Sequence, residues 1–265
     1  MEPSLQMNIV KFTDDQGETL KMQEDAGTFF TLNVEAQNLL SLDSFTARSD
    51  DILLVTYPKS GTHWLDAIVK MMVQHLDTLS TDRMHHLEYS PSAEIERAPS
   101  PRVLCTHLPF WRIPIDFLRK RVKIILCVRN PRDVAVSYFH FCSNMSVIGY
   151  DGNFDGFLSL FLKGYLPYNS WFHHVSSWLK AARSHTHNVH VLFYEDLQQT
   201  SFANMKKLLG DSYKHFSKNG HHVIYRKGRV GDWSNFFNPA QIVQFNTELE
   251  AWGLQEDKQF LFSVE

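Results

Sequence analysis

An α/β fold of three layers, with a central, mainly parallel sheet between helices, is predicted by three features of the sequence. Short apolar runs alternate with stretches of helical periodicity. One of these runs, Ile52-Leu53-Leu54-Val55, is continuous, as a strand buried on both faces requires. It feeds a turn, Tyr57-Pro58-Lys59-Ser60-Gly61, that opens a helix, giving a P-loop-like strand-loop-helix unit.

In chain order, residues 1–29 read as a less ordered N-terminal extension of a single domain spanning 1–265. After the first strand, Leu65, Ile68, Val69, Met72, Val73 and Leu76 recur at helical spacing, so one face of that helix is apolar. The segment from Ser80 to Pro101 is rich in Ser, Pro and charge and reads as a long loop able to cover a pocket. Arg102 to Thr106 is a second strand candidate, stopped at Leu108-Pro109. Val122 to Val128 is a third, followed by a helix for which Asp133 is a candidate cap. Val189 to Tyr194 is a fourth.

Composition narrows the function. At 265 residues with 43% hydrophobic residues the chain can bury one large core. A net charge of −3 gives no overall basic field, which argues against nucleic acid as a partner. No apolar run reaches the length of a membrane span, and Met1 to Gly27 lacks the basic-then-apolar order of a signal peptide. Cys105, Cys127 and Cys142 lack metal-site spacing and lie in or near apolar stretches, as free thiols of a cytosolic protein do. The histidine pairs His85-His86, His173-His174 and His221-His222 are adjacent, a poor arrangement for chelating one ion.

The loop itself calls for an anion. Free N–H groups of the helix start, the positive end of its dipole and the Lys59 ammonium converge there, and Ser60 or Thr62 is placed to cap the first turn. Lys59 precedes Gly61, whereas the lysine of a Walker motif follows its last glycine, so a plain nucleotide triphosphatase is disfavoured. Lys59, His107, Arg129 and Tyr194 all fall at or just after strand ends, the edge where parallel sheets gather ligands.

These blocks resemble the cytosolic sulfotransferases, which move a sulfuryl group from 3'-phosphoadenosine 5'-phosphosulfate (PAPS) to a small acceptor. The match is carried by Thr56 to Trp64, Thr106-His107-Leu108-Pro109, Arg129 through Ser137 to Phe141, and Arg226-Lys227-Gly228 with Gly231-Asp232-Trp233. It extends from about Phe30 to the C-terminus. The resemblance implies that Lys59, Ser60, Gly61, Thr62 and the backbone of His63 hold the 5'-phosphosulfate, with Lys59 at the bridging oxygen. It implies that Arg129, Ser137, Arg226, Lys227 and Gly228 grip the 3'-phosphate. Trp64 and Phe202 would sandwich the adenine, and Tyr194 and Thr200 would meet its edge. His107 would be the general base, and Phe141 would line the acceptor pocket. No divalent metal is needed, because protein donors supply the positive charge.

The chain departs from the family pattern at four places, the first being His63, which replaces a usual threonine of the donor loop. Cys105 stands where the family has a lysine two residues before the histidine. Ser234, Asn238-Pro239 and Val243 replace the dimerisation signature, which argues against the family homodimer. Between Asp196 and Thr200 only Leu197, Gln198 and Gln199 remain of roughly thirty residues. The alternative function is therefore a PAPS- or PAP-binding protein with weak or no catalysis. Loss of covering helices also predicts lowered stability and a tendency to aggregate, since exposing apolar surface costs ~25 cal/mol per Å².

Overall fold

The computed structural model describes residues 7–73, 83–197 and 230–254. Thr200, Phe202, Arg226, Lys227 and Gly228, and the shortened link at 198–199, lie outside the described residues.

Five parallel strands form the central sheet, in the order β5-β6-β4-β7-β8. They are β4 (Ile52–Thr56), β5 (His85–His86), β6 (Val103–Thr106), β7 (Lys123–Val128) and β8 (Val189–Phe193). The four long strands are the four apolar runs of the sequence. Every residue of β4 and β6 is buried, as continuous runs of Val, Ile and Leu dictate when helices cover both faces.

Helices α1 (Ala36–Asp43), α2 (Thr62–Val73), α3 (Ser92–Arg97) and α4 (Ile115–Arg119) precede α5 (Pro131–Asn144), α6 (Phe154–Lys163) and α7 (Trp171–Arg183). The short α8 (Tyr194–Leu197) and the last described helix, α9 (Pro239–Ala251), complete the set. Two clusters of buried side chains occupy the interior. The smaller joins Leu54, Cys105 and Cys127 to Trp64 and Leu65 of α2. The larger contains Leu53, Val55 and Leu104 with Phe157, Trp171, Trp178 and Phe245. Because strand side chains alternate, Leu53 and Leu54 serve opposite layers.

Three expectations need correction. Residues 8–30 are not a less ordered extension: β1 (Asn8–Thr13), β2 (Thr19–Asp25) and β3 (Thr28–Phe30) form an antiparallel sheet. Leu20, Met22 and Phe30 anchor it in the larger core. The Asp14 carboxylate closes the first hairpin by accepting from the Gln16 and Glu18 amides. Nor is the described part of the segment from Ser80 to Pro101 a loop, since it carries β5, α3 and the buried Leu87, Glu88, Ser90 and Ile95.

The third correction concerns the start of α5. Its cap is Asn130, whose side chain accepts from the Arg132 amide, with Pro131 as first helical residue. Asp133 acts at longer range, where its carboxylate accepts from the Gly231 and Trp233 amides at 2.7 and 3.1 Å. Arg132 lies over the Trp233 ring at 4.9 Å. The motif Gly231-Asp232-Trp233 is thus tied to the first turn of α5. Asn238 forms a capping box with Gln241 and Pro239 is the first residue of α9.

Candidate active site

Strands β4, β6, β7 and β8 deliver their C-terminal residues to one edge, where Lys59, His107, Arg129 and Tyr194 follow them. Lys59 has φ +69°, a conformation costly for a side chain with a Cβ. The Arg129 guanidinium donates to the Lys59 carbonyl at 2.7 Å, an interaction that holds the loop in this shape. Gly61 follows at φ +95°, and a Cβ there would lie 2.6 Å from the Tyr194 ring. Glycine is required twice over, by conformation and by close approach.

Neither hydroxyl expected to cap α2 does so in a simple way. Thr62 Oγ1 is 2.6 Å from Thr56 Oγ1 on β4. Ser60 Oγ is buried without a hydrogen-bond partner. A buried orphan hydroxyl is costly unless something fills its valence, and an anionic oxygen held at the cradle would do so. Beside the loop, Arg129 Nε is likewise buried and unpartnered, while its guanidinium lies over the Tyr194 ring at 4.3 Å. The residues present therefore fit a two-ended anionic donor. Ser137 is half-buried on α5, whose first turn follows Arg129. Trp64 is buried and meets Tyr194 edge-on at 5.6 Å.

His107 is held from two strands. Its Nδ1 is 2.8 Å from the Thr56 carbonyl and 3.1 Å from Thr56 Oγ1. A carbonyl only accepts, so Nδ1 carries the proton and donates, leaving the Nε2 lone pair available. Burial, then the neighbouring His86, His174 and His63, outweigh the Thr56 carbonyl and push the His107 pKa well below its usual value. The ring is therefore neutral near pH 7. Tyr168 meets it edge-on at 5.0 Å, and Tyr168 in turn donates to the Tyr89 hydroxyl at 3.0 Å. The Lys59 ammonium sits 4.3 Å from the centre of the Phe141 ring, so this aromatic adjoins the loop.

Cys105 points into the smaller core, away from a role as a charge. Its Sγ contacts Asp66 Oδ1 at 3.7 Å, and Asp66 pairs with buried Lys70 at 3.0 Å. Burial raises the Cys105 pKa well above its usual value, so the thiol is protonated and inert. His63, with burial as the largest cause and Lys59, His86 and Lys70 adding to it, is pushed down to about 3 and is neutral.

Sequence reasoning missed Glu88, Tyr89 and Tyr168, and the part played by Thr56. Glu88 was hidden in a segment read as loop. Thr56 acts through its carbonyl, which every residue possesses.

A parallel sheet with an anion-holding strand-loop-helix and a neutral histidine at the same edge defines a group-transfer enzyme acting on a phosphorylated donor. A sulfotransferase domain family model matches residues 49–210. Mouse sulfotransferase 1A1 is 34% identical over 255 aligned residues, covering 80% of this chain and 87% of that protein. Human sulfotransferase 1C2 is 31% identical, with 88% and 93% covered. A crystal structure of mouse sulfotransferase SULT7A1 complexed with PAP aligns with TM-score 0.72 at 32% identity, covering 89% of this chain and 96% of that one. Retinol dehydratase, at 21% identity and TM-score 0.75, shares the fold. The chain belongs to the sulfotransferase family, whose chemistry is sulfuryl transfer from PAPS.

Proposed function

We propose that this protein transfers a sulfuryl group from PAPS to a hydroxyl or amine of a small hydrophobic acceptor. The observation that carries the reading is His107, neutral and fixed as the Nδ1–H tautomer, at the edge that holds the Lys59 loop.

In this reading the donor supplies the sulfuryl group when bound. Lys59, Ser60, Gly61, Thr62 and the His63 backbone hold its 5' end, and Lys59 stabilises charge at the bridging oxygen. Arg129 and Ser137, with Arg226, Lys227 and Gly228 from outside the described residues, hold the 3'-phosphate. Trp64 and Phe202, with Tyr194 and Thr200, receive the adenine. His107 Nε2 takes the proton of the attacking acceptor group. Phe141 and Tyr168 support an aromatic wall for the acceptor. Lys59 and Arg129 supply the positive charge, so no divalent metal enters the proposal. Buried, unpaired cysteines fit a cytosolic location, and the replaced signature residues leave the family homodimer out of the proposal.

Purified protein with labelled PAPS and a mixed panel of phenols, steroids, alcohols and amines is expected to yield sulfated product. No product with any acceptor, while PAP still binds, would select the second reading, a PAP-binding protein without turnover. The Cys105–Asp66 contact favours that reading, because an inert thiol stands in place of a cation. The mouse alignment has more positions than the 80% of this chain it covers has residues, so that relative carries residues with no counterpart here. This supports the loss of a segment, which the spacing of the motifs puts after Asp196.

A further inference from the structure

Glu88 is fully buried and commits both carboxylate oxygens to the surroundings of the histidine. Oε1 accepts from the His107 amide at 2.8 Å, and Oε2 accepts from the Thr106 hydroxyl at 2.9 Å. The Thr106 hydroxyl then accepts from the Leu108 amide at 3.0 Å. His86 Nδ1 lies 3.0 Å from Glu88 Oε2, and the His86 ring is centred 4.7 Å from the His107 ring. The carboxylate thus holds the peptide before His107 directly and the peptide after it through the Thr106 hydroxyl, just where β6 ends and regular sheet hydrogen bonds stop supporting the backbone.

We propose that Glu88 is the positioning residue of the general base: it fixes the Thr106–Leu108 turn so that the ring reaches the Thr56 carbonyl with Nδ1 and turns Nε2 to the acceptor. The inference rests on His107 acting as base. A buried carboxylate is a costly way to hold a turn, and its desolvation is offset here by charge-assisted hydrogen bonds to the segment that carries the chemistry.

Glu88→Gln keeps the shape and one acceptor oxygen, whereas Glu88→Ala removes both. With any accepted substrate, kcat is expected to fall about 10-fold for Gln and about 100-fold for Ala, the scale of a slight misplacement of a reacting group. Acceptor KM and PAP affinity should stay within about two-fold. In a His107→Ala background, Glu88→Ala should add no further loss, because both act through one ring. Nitrogen NMR of the His107 ring should report the Nδ1–H form in the unaltered protein and a mixture of tautomers in Glu88→Ala. That spectrum needs no turnover, so it tests the positioning even if the chain binds PAP without transferring sulfuryl. If the Ala variant does not fold, the Gln variant carries the same spectrum and kinetics. An unchanged tautomer with unchanged kcat, an additive loss on top of His107→Ala, or PAP affinity falling in step with kcat would each overturn the proposal.

Discussion

Strands β4 and β8 both deliver site residues to the same edge, yet they are built differently. All five residues of β4 are buried, and its loop is braced by Arg129, Thr56 and Tyr194. β8 is an edge strand with no fully buried residue, and Val191 is 37% exposed. It leads directly into Tyr194 and the short α8. The Lys59 loop and His107 therefore rest on the fully buried strands of the sheet. Tyr194 follows the least covered strand of the central sheet. Chemistry and cradle are expected to be robust, and stability and donor retention to be the vulnerable properties.

The largest effect sits on the stiff side. His107→Ala should lower kcat by about 10²–10⁴-fold, the usual worth of a general base, with PAP affinity unchanged in a calorimetric titration. A similar loss of PAP affinity would make the histidine structural instead.

Next comes a paired truncation that measures the contrast itself. Leu54→Ala on β4 removes a fully buried side chain and should cost about 2–5 kcal/mol. Val191→Ala on β8 should cost less than about 1 kcal/mol in the same denaturant melt. Equal costs would mean that β8 is as well covered as β4.

Gly61→Ala joins the two regions, since the new Cβ meets the Tyr194 ring that follows β8. Strain and contact together should cost roughly 1–3 kcal/mol and weaken PAP binding. An unaltered melting temperature and PAP affinity would show that the ring yields freely.

The last effect is graded with pH and grows with distance below pH 6.5. His63 and His174 are pushed down to about 3, chiefly by burial. The unfolded chain binds protons below about pH 6.5 while these folded rings do not, so stability falls as pH drops from there toward 3. Each ring contributes at most about 1.4 kcal/mol per pH unit. Turnover should pass through pH 6.5 without the usual histidine decline, because the His107 pKa lies well below that value. Melts and rates across pH 5–8 check both signs.

The same contrast explains what the sequence revealed. β4, β6 and β7 were legible because parallel strands in a covered sheet read as apolar runs, and β8 because Val189, Val191, Leu192 and Phe193 keep it apolar around His190, so their end residues could then be read as a site. The N-terminal sheet was not, because β1 exposes both faces in part and its alternation is weak. The Asn130 cap was hidden by Asp133, an equally good capping residue one turn later, whose real partners are about a hundred positions away in Gly231 and Trp233. Glu88 had no local signal, since a carboxylate in a polar segment looks solvated until the fold buries it. Its clue was tertiary.

The central claim is that these strand ends form one site for a nucleotide phosphorylated at both its 5' and 3' positions. Calorimetric titration of the purified protein with PAP tests it most directly. The account predicts saturable binding at one site per chain, sharply weakened by Arg129→Gln and not displaced by ATP with magnesium. Absence of binding by the folded protein, or equal binding of ATP with magnesium, would contradict it.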